Sequence, residues 1–388
     1  MPCRTIARST RRTGALALAL VGLTLLTACT DPFRPRTRGR ALTVDQRAAQ
    51  FEVPADRYAA LGYRLDWRGF PGVGRAHRIV DLHIADDNNV AVVEAGTTVS
   101  LLEGDTGRLR WRNRVATDLT RVHGVTRGPN GRVVCVAETE LYFLDQNTGE
   151  LVDRQDLAKL TNTMIITEGL VAIYGTSTGQ VATHLMTRGL PLWGFAARGS
   201  FEANPVRIGE AIGAVSRAGD IVFLRANGGD LLGRARIFEG TAPGVHPTSS
   251  ETLFFVASLD QSVYAFAPTG QQIWRHRTGT ALRAQPTYLD GTLYVTTEDG
   301  FTAINAANGS VRWATTEALG VAIGARRGLI LVWDPNTQTA AALDPSDGAV
   351  VERVTLPGVR TLRMSRPADG DLYAISDTAV VAKFVPTR

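Results

Sequence analysis

Few groupings in this sequence of 388 residues have the spacing that chemistry needs. Gly175-Thr176-Ser177-Thr178-Gly179 has the Gly-x-Ser-x-Gly form of a nucleophile elbow, in which a serine on a strand-to-helix turn attacks an acyl carbon. Here strand-like Val171 to Tyr174 come before it and strand-like Gln180 to His184 follow. A small-residue hairpin is therefore expected, with no hydrolase role. Asp86-Asp87-Asn88-Asn89 gathers oxygen donors, but its spacing does not fit the twelve-residue calcium loop and no distal Glu follows in register. It is expected to turn between two strands. The six histidines form no His-x-x-x-His pair and there is no Cys-x-x-Cys, so no metal site is expected. No Walker loop occurs. Asp105, Asp145, Asn305 and Asp344 recur at one turn position, where a carboxylate or amide accepts backbone N–H bonds. Cys135 lies in the apolar run Val133-Val134-Cys135-Val136-Ala137 and reads as a buried strand residue, not a nucleophile.

The first residues read as an address. Arg4, Arg8, Arg11 and Arg12 form a positive segment, and Gly14 to Leu26 an apolar stretch of signal-peptide length, too short to span a bilayer. The stretch ends in Leu26-Thr27-Ala28-Cys29, which resembles the lipobox of bacterial lipoproteins. The resemblance implies cleavage between Ala28 and Cys29 and diacylation of the Cys29 thiol. With Cys3 in the signal and Cys29 in the anchor, Cys135 is left alone in the body, so no intramolecular disulfide is expected there. Asp31 to Arg40 mixes Pro with alternating Arg and reads as an extended tether. Its four arginines suit anionic headgroups at about 1 kcal/mol each, and suit a solvated linker equally well. Residues 44–60 have mild helical character, with Pro54 placed for a first helical position.

The formal charge of +5 is concentrated at the N-terminus. Without the four signal arginines, 38 basic residues face 37 acidic ones, which argues against nucleic acid as a partner. The hydrophobic fraction of 44% and charged fraction of 20% exclude a disordered or polytopic membrane chain. The 39 glycines follow no collagen period and point to many tight turns between short strands.

After residue 60 the chain repeats itself. The clearest unit runs from Ala284 to Trp313 and reads strand, Asp290-Gly291 turn, strand, Asp299-Gly300 turn, strand, Asn308-Gly309 turn, strand. Four short antiparallel strands in about 40 residues make a propeller blade. The glycine before the fourth strand recurs as Gly107, Gly149, Gly189, Gly229, Gly270, Gly309 and Gly348, at spacings of 42, 40, 40, 41, 39 and 39. Four residues later stand Trp111, Trp193, Trp274 and Trp313, with Asp153, Gly233 and Glu352 in the remaining units. Trp67 fits the same slot in an orphan fourth strand near the N-terminus. The C-terminus supplies a second and a third strand without a fourth. The sequence thus predicts an all-β, eight-bladed β-propeller of four-stranded antiparallel blades, the last closed by the N-terminal strand. The expected division is a signal peptide over 1–28, a lipidated tether over 29–60 and the propeller over 61–388.

The pattern Leu-Tyr-Val, Gly, Ala-Ile-Asn, Gly, Trp resembles the pyrroloquinoline-quinone (PQQ) repeat over about 320 residues; Val263-Tyr264-Ala265-Phe266 and Leu141-Tyr142-Phe143-Leu144-Asp145 are similar strings. Among lipidated members the resemblance is to the propeller lipoproteins of the outer-membrane β-barrel assembly machine. It implies that Trp67, Trp111, Trp193, Trp274 and Trp313 pack at the seams between blades, as a large aromatic on an outer strand should. A repeat name does not confer the quinone. The quinoproteins are longer, carry inserts and hold a metal beside the cofactor through acidic and amide residues; this body has no inserts in the repeat register and no such cluster, so no cofactor is expected.

Arg78, Arg121, Arg207, Arg283 and Arg360 recur near the expected starts of innermost strands, with His123 and Arg363 nearby. Gathered at one channel mouth, their guanidinium groups would attract an anionic peptide or glycan. The alternative, charges paired with local acids on a solvated rim, is the one that exposed charge by itself favours. The function expected is a non-catalytic scaffold for envelope proteins, lipid-anchored on the extracytoplasmic face of a bacterial membrane. A ligand-binding propeller and a degenerate quinoprotein are the alternatives.

Overall fold

The computed structural model describes residues 46, 51–72, 78–84, 89–95, 97–117 and 119–388. Cys29, Ala28 and most of the expected tether lie outside the described residues, as do Asp86, Asp87 and Asn88.

Among the described residues the chain forms eight four-stranded antiparallel sheets. Blade 1 comprises β2 (Ile79–Ile84), β3 (Asn89–Glu94), β4 (Thr98–Glu103) and β5 (Leu109–Arg114). Blade 2 comprises β6 (Val122–Arg127), β7 (Val133–Ala137), β8 (Glu140–Leu144) and β9 (Leu151–Asp156). Blades 3 to 7 follow the same order. Their innermost strands are β10 (Ile166–Glu168), β14 (Val206–Ile208), β18 (Thr248–Ser249), β22 (Thr287–Leu289) and β26 (Val321–Arg326). Their outermost strands are β13 (Leu190–Ala196), β17 (Leu231–Arg236), β21 (Gln272–Arg277), β25 (Val311–Thr315) and β29 (Val350–Thr355).

Blade 8 draws on both ends of the chain. β30 (Val359–Met364), β31 (Leu372–Ser376) and β32 (Val381–Pro386) are completed by β1 (Tyr63–Gly69), which pairs antiparallel with β32 from Tyr63↔Pro386 to Gly69↔Val381. Main-chain bonds therefore close the ring.

Among the described residues there is no single core. The apolar residues sort into eight clusters, and each lies at a seam between neighbouring blades. The side-chain period of two explains this, because a middle strand buries both faces. Val134 and Val136 face blade 3, while Val133, Cys135 and Ala137 face blade 1. Burial, with Asp81 nearby, pushes the Cys135 thiol up to about 12, so it stays a thiol.

A short helix, α1 (Ala55–Ala60), precedes β1. Pro54 is its N-cap and not its first helical residue. Phe51, Tyr58 and Leu61 are buried with Val354 and Leu356 of blade 7 and Phe384 of blade 8, and the rings of Tyr58 and Phe384 stack at 3.7 Å. The packed body thus includes residues from Phe51 onward, within the span expected to be tether. The reason is local. Blade 7 carries Glu352 in the tryptophan slot and blade 8 has no turn between its third and fourth strands, so α1 fills that seam.

Candidate functional site

In an antiparallel blade, the connections from one blade to the next emerge on the same face as the turns between second and third strands. We term this the loop face. The turns after the first and third strands emerge opposite, on the hairpin face.

The tryptophans belong to the rim. Trp67, Trp111, Trp193, Trp274 and Trp313 lie against Gly107, Gly149, Gly229, Gly309 and Gly348, each in the following blade. A Cβ on any of these glycines would fall 2.3–2.7 Å from the indole, and every one of them has φ between +68° and +78°. Only glycine suits both demands. The indole N–H of Trp67, Trp111, Trp274 and Trp313 donates to Gly104, Gln146, Ala306 and Pro345 carbonyls at 2.7–2.8 Å. At the seam between blades 2 and 3 Gln155 faces Gly189 instead, and its amide donates to the Met186 carbonyl at 2.8 Å.

The residue after the tryptophan slot is often Arg, a signal that residue-by-residue reading of the sequence does not interpret. Arg112 meets Glu94 at 3.1 Å, Arg234 meets Asp220 at 2.7 Å and Arg154 is paired with Glu140. These acids stand at or near the loop-face end of their blades. Burial alone would raise the Asp220 carboxyl. The Arg198 amide and the Arg234 guanidinium outweigh it and hold the group below its ordinary value.

Four of the five expected mouth arginines stand on the loop face. Arg78 and Arg121 immediately precede β2 and β6, Arg283 precedes β22, and Arg360 is the second residue of β30. Arg207 does not join them. It lies one residue before the end of β14, where its Nε donates to the Gly209 carbonyl at 2.9 Å and Nη1 meets Glu168 at 2.5 Å, next to the hairpin face. Arg121 leads into blade 2 and Arg283 into blade 6, on opposite sides of a ring of eight. Arg360 bonds the Ile79 carbonyl of blade 1, and burial with Arg78 close by lowers its pKa. Arg363 reaches Asp81 at 3.1 Å and the Leu82 carbonyl at 2.7 Å. His123 Nε2 lies 3.2 Å from the Thr161 carbonyl; burial and Arg121 drive its pKa down to about 4, so it is neutral at physiological pH.

The loop face also shows apolar side chains that the sequence reading did not single out. Leu119 is 96% exposed and Phe238 82%, with Leu160 and Leu319 about half exposed. All four sit in connections between blades, ahead of blades 2, 3, 5 and 7. Their only sequence signal is a bulky apolar residue inside a polar loop, as in Glu239 after Phe238 or Thr120 after Leu119. Between these tips lie open clefts of about 440 Å³, lined by Phe238, Asp260 and Arg275 among others, and about 550 Å³, lined by Arg283, Glu298, Leu319 and Asn336 among others.

The expected elbow is a hairpin. Gly175 ends β11 (Val171–Gly175), Gln180 begins β12 (Gln180–Leu185), and the Thr176 hydroxyl accepts the Gln180 N–H at 2.8 Å. The recurrent turn Asp and Asn residues cap their own turns: Asp145, Asn305 and Asp344 each accept a backbone N–H two residues on at 2.8–2.9 Å.

A family model described as outer membrane protein assembly factor BamB, of the PQQ-repeat type, matches residues 64–242 and 217–383. The chain belongs to that family. No curated protein matches the sequence. Among solved structures, BamB from Moraxella catarrhalis is similar at TM-score 0.60 and 20% identity, covering 80% of this chain and 98% of that one. The computationally designed Ika8 protein gives 0.66 at 13% identity, covering 83% and 99%. Sqt1 from Saccharomyces cerevisiae gives 0.65 at 10%, covering 84% and 100%. At such identities the structural likeness shows the propeller alone. A designed propeller superposes as well as a BamB does, so a function has to be argued from this chain's own faces.

Proposed function

We propose that the protein is a non-catalytic scaffold of the cell envelope, held to an extracytoplasmic membrane surface by lipid on Cys29, which binds partner proteins through the loop face. Membership of the BamB family supports an envelope role in outer-membrane protein assembly. The lipobox-like segment before Cys29 supports the anchor, with 1–28 as signal. The observation that carries the binding face is the set of apolar loop tips Leu119, Leu160, Phe238 and Leu319 on one face beside Arg121 and Arg283. Apolar tips interspersed with cations are the composition of a partner-binding surface, and loops on a rigid frame are where binding residues concentrate.

The test is affinity capture of the full-length protein after crosslinking in cells, read by mass spectrometry. Leu119→Asp with Phe238→Asp should lose a near-stoichiometric envelope partner that the unaltered protein retains. Cys29→Ala should lose the same partner through mislocalisation. Capture unchanged by both variants would overturn the proposal.

A further inference from the structure

The outermost strand of every blade is a sheet edge. Such an edge presents unpaired backbone groups to any passing strand, and folded proteins protect it chiefly with charge or with proline. Seven of the eight edges here carry charge. β5 carries Arg110, Arg112 and Arg114; β9 carries Asp153, Arg154 and Asp156; β17 carries Arg234 and Arg236. β21, β25, β29 and β1 each hold at least one Arg. Among the described outer strands only β13 of blade 3, Leu-Pro-Leu-Trp-Gly-Phe-Ala, has no charged residue; its one protective feature is Pro191, which removes a single backbone donor and leaves the rest of the edge free to pair. It is seven residues long, equal to the longest strand of the ring, and its Leu190 and Leu192 are 54% and 51% exposed.

We propose that β13 is a second interaction surface, an edge that accepts an extended segment of another polypeptide by strand addition. The surface lies on the rim and does not depend on the loop-face reading. An edge is complementary to an extended backbone, and the exposed leucines call for apolar side chains at alternate positions. The flanks select further. Exposed Arg188 precedes the strand and exposed Arg198 follows it. If a second copy added its own β13 antiparallel with full overlap, Trp193 would face Trp193 and Arg188 would face Arg198 at both ends. Like charges opposed in this way disfavour self-pairing. The same arginines favour an incoming segment with carboxylates on both flanks.

The probe is a fluorescein-labelled heptapeptide, Glu-Val-Thr-Val-Thr-Val-Glu, titrated onto the full-length protein and read by anisotropy, with hydrogen exchange locating the site. Binding should protect amides of β13 and no other outer strand. Replacing the terminal glutamates by lysines should weaken binding at least tenfold. Leu192→Lys, which gives β13 the charge that its seven counterparts carry, should weaken it tenfold or more while the melting temperature stays unchanged. Val311→Lys, on the already charged β25, should leave binding as it was. Equal affinity for Leu192→Lys would overturn the proposal, as would protection confined to another edge. So would a concentration-dependent dimer abolished by Leu192→Lys, because the edge would then be covered by a second copy.

Discussion

The seam between blades 6 and 7 allows a test in which two substitutions, each harmful alone, partly cancel. Trp313 is buried between blades, its rings near Tyr294 and Phe301 at 6.0 and 6.1 Å, and its N–H donates to Pro345 at 2.7 Å. Trp313→Ala removes that packing and leaves a cavity, at a cost of about 3–5 kcal/mol. Gly348 faces the same indole with φ of +78°, and a Cβ there would lie 2.4 Å from Cε3. Gly348→Ala therefore incurs about 1–2 kcal/mol of left-handed backbone strain and about 1–3 kcal/mol of overpacking. Once Trp313 is alanine, the new methyl meets empty space and only the backbone cost remains. The double variant should then be more stable than the sum of the singles implies by about 1–3 kcal/mol. Urea unfolding followed by far-UV circular dichroism measures all three, with the slopes compared to check that the transition is unchanged. Additivity within about 0.5 kcal/mol would refute the seam geometry, as would a Trp313→Ala cost below about 1 kcal/mol.

Arg326 ties the segment entering β1 and the segment leaving β32 to blade 7. It donates to the Gly62 carbonyl at 3.2 Å and to the Thr387 carbonyl, and pairs with Asp369 at 2.6 Å. Arg326→Met should cost about 2–3 kcal/mol, and hydrogen exchange should quicken first in β1 and β32. His123 gives a pH signature. Unfolded, it takes a proton near 6.5; folded, it stays neutral down to about 4. Stability is therefore lost as pH falls through that window, by about 2 kcal/mol between pH 7.5 and 5, and His123→Gln should remove that increment in parallel urea titrations. Asp220 acts lower on the scale. Its depressed pKa adds stability above the ordinary range near 3.8 that is lost on further acidification, so Asp220→Asn should flatten the acid limb of the stability curve.

The fold was legible because every blade repeats the same turn chemistry. The glycine ruler from Gly107 to Gly348 marks each third turn, and Trp67, standing in a fourth-strand slot with no strands before it, foretells the pairing of β1 with β32. The inner strands were less legible. β10, β14 and β22 hold three residues and β18 two, too few for a period of two to declare itself. The pattern therefore does not show where such a strand starts, and Arg207 turns out to reach toward the hairpin face from the middle of β14. The pairing of Arg112 with Glu94 is equally hidden, since it joins two strands 18 residues apart through a third. In sequence Leu119 and Phe238 show only as bulky apolar residues inside polar loops, because exposure is a property of the assembled ring.

The choice of the loop face over the hairpin face follows from chain geometry. On the hairpin face β10–β11, β14–β15, β22–β23 and β26–β27 are joined by two residues each. Asp290-Gly291 and Arg327-Gly328 have positive φ at both positions, the conformation that matches strand twist and tolerates little variation. The same face holds the Arg326 latch. Most connections between blades, which lie on the loop face, run longer: nine residues between β9 and β10, nine between β13 and β14, eleven between β17 and β18. Length there is tolerated because loop closure costs grow slowly. Stability resides in the eight seam clusters, and Leu119 and Phe238 belong to none of them. Their apolar surface is unfavourable in water and unneeded by the fold. A partner that covers them would account for both, whereas Leu109 and Val311 are single exposed residues on outer strands that carry their own arginines.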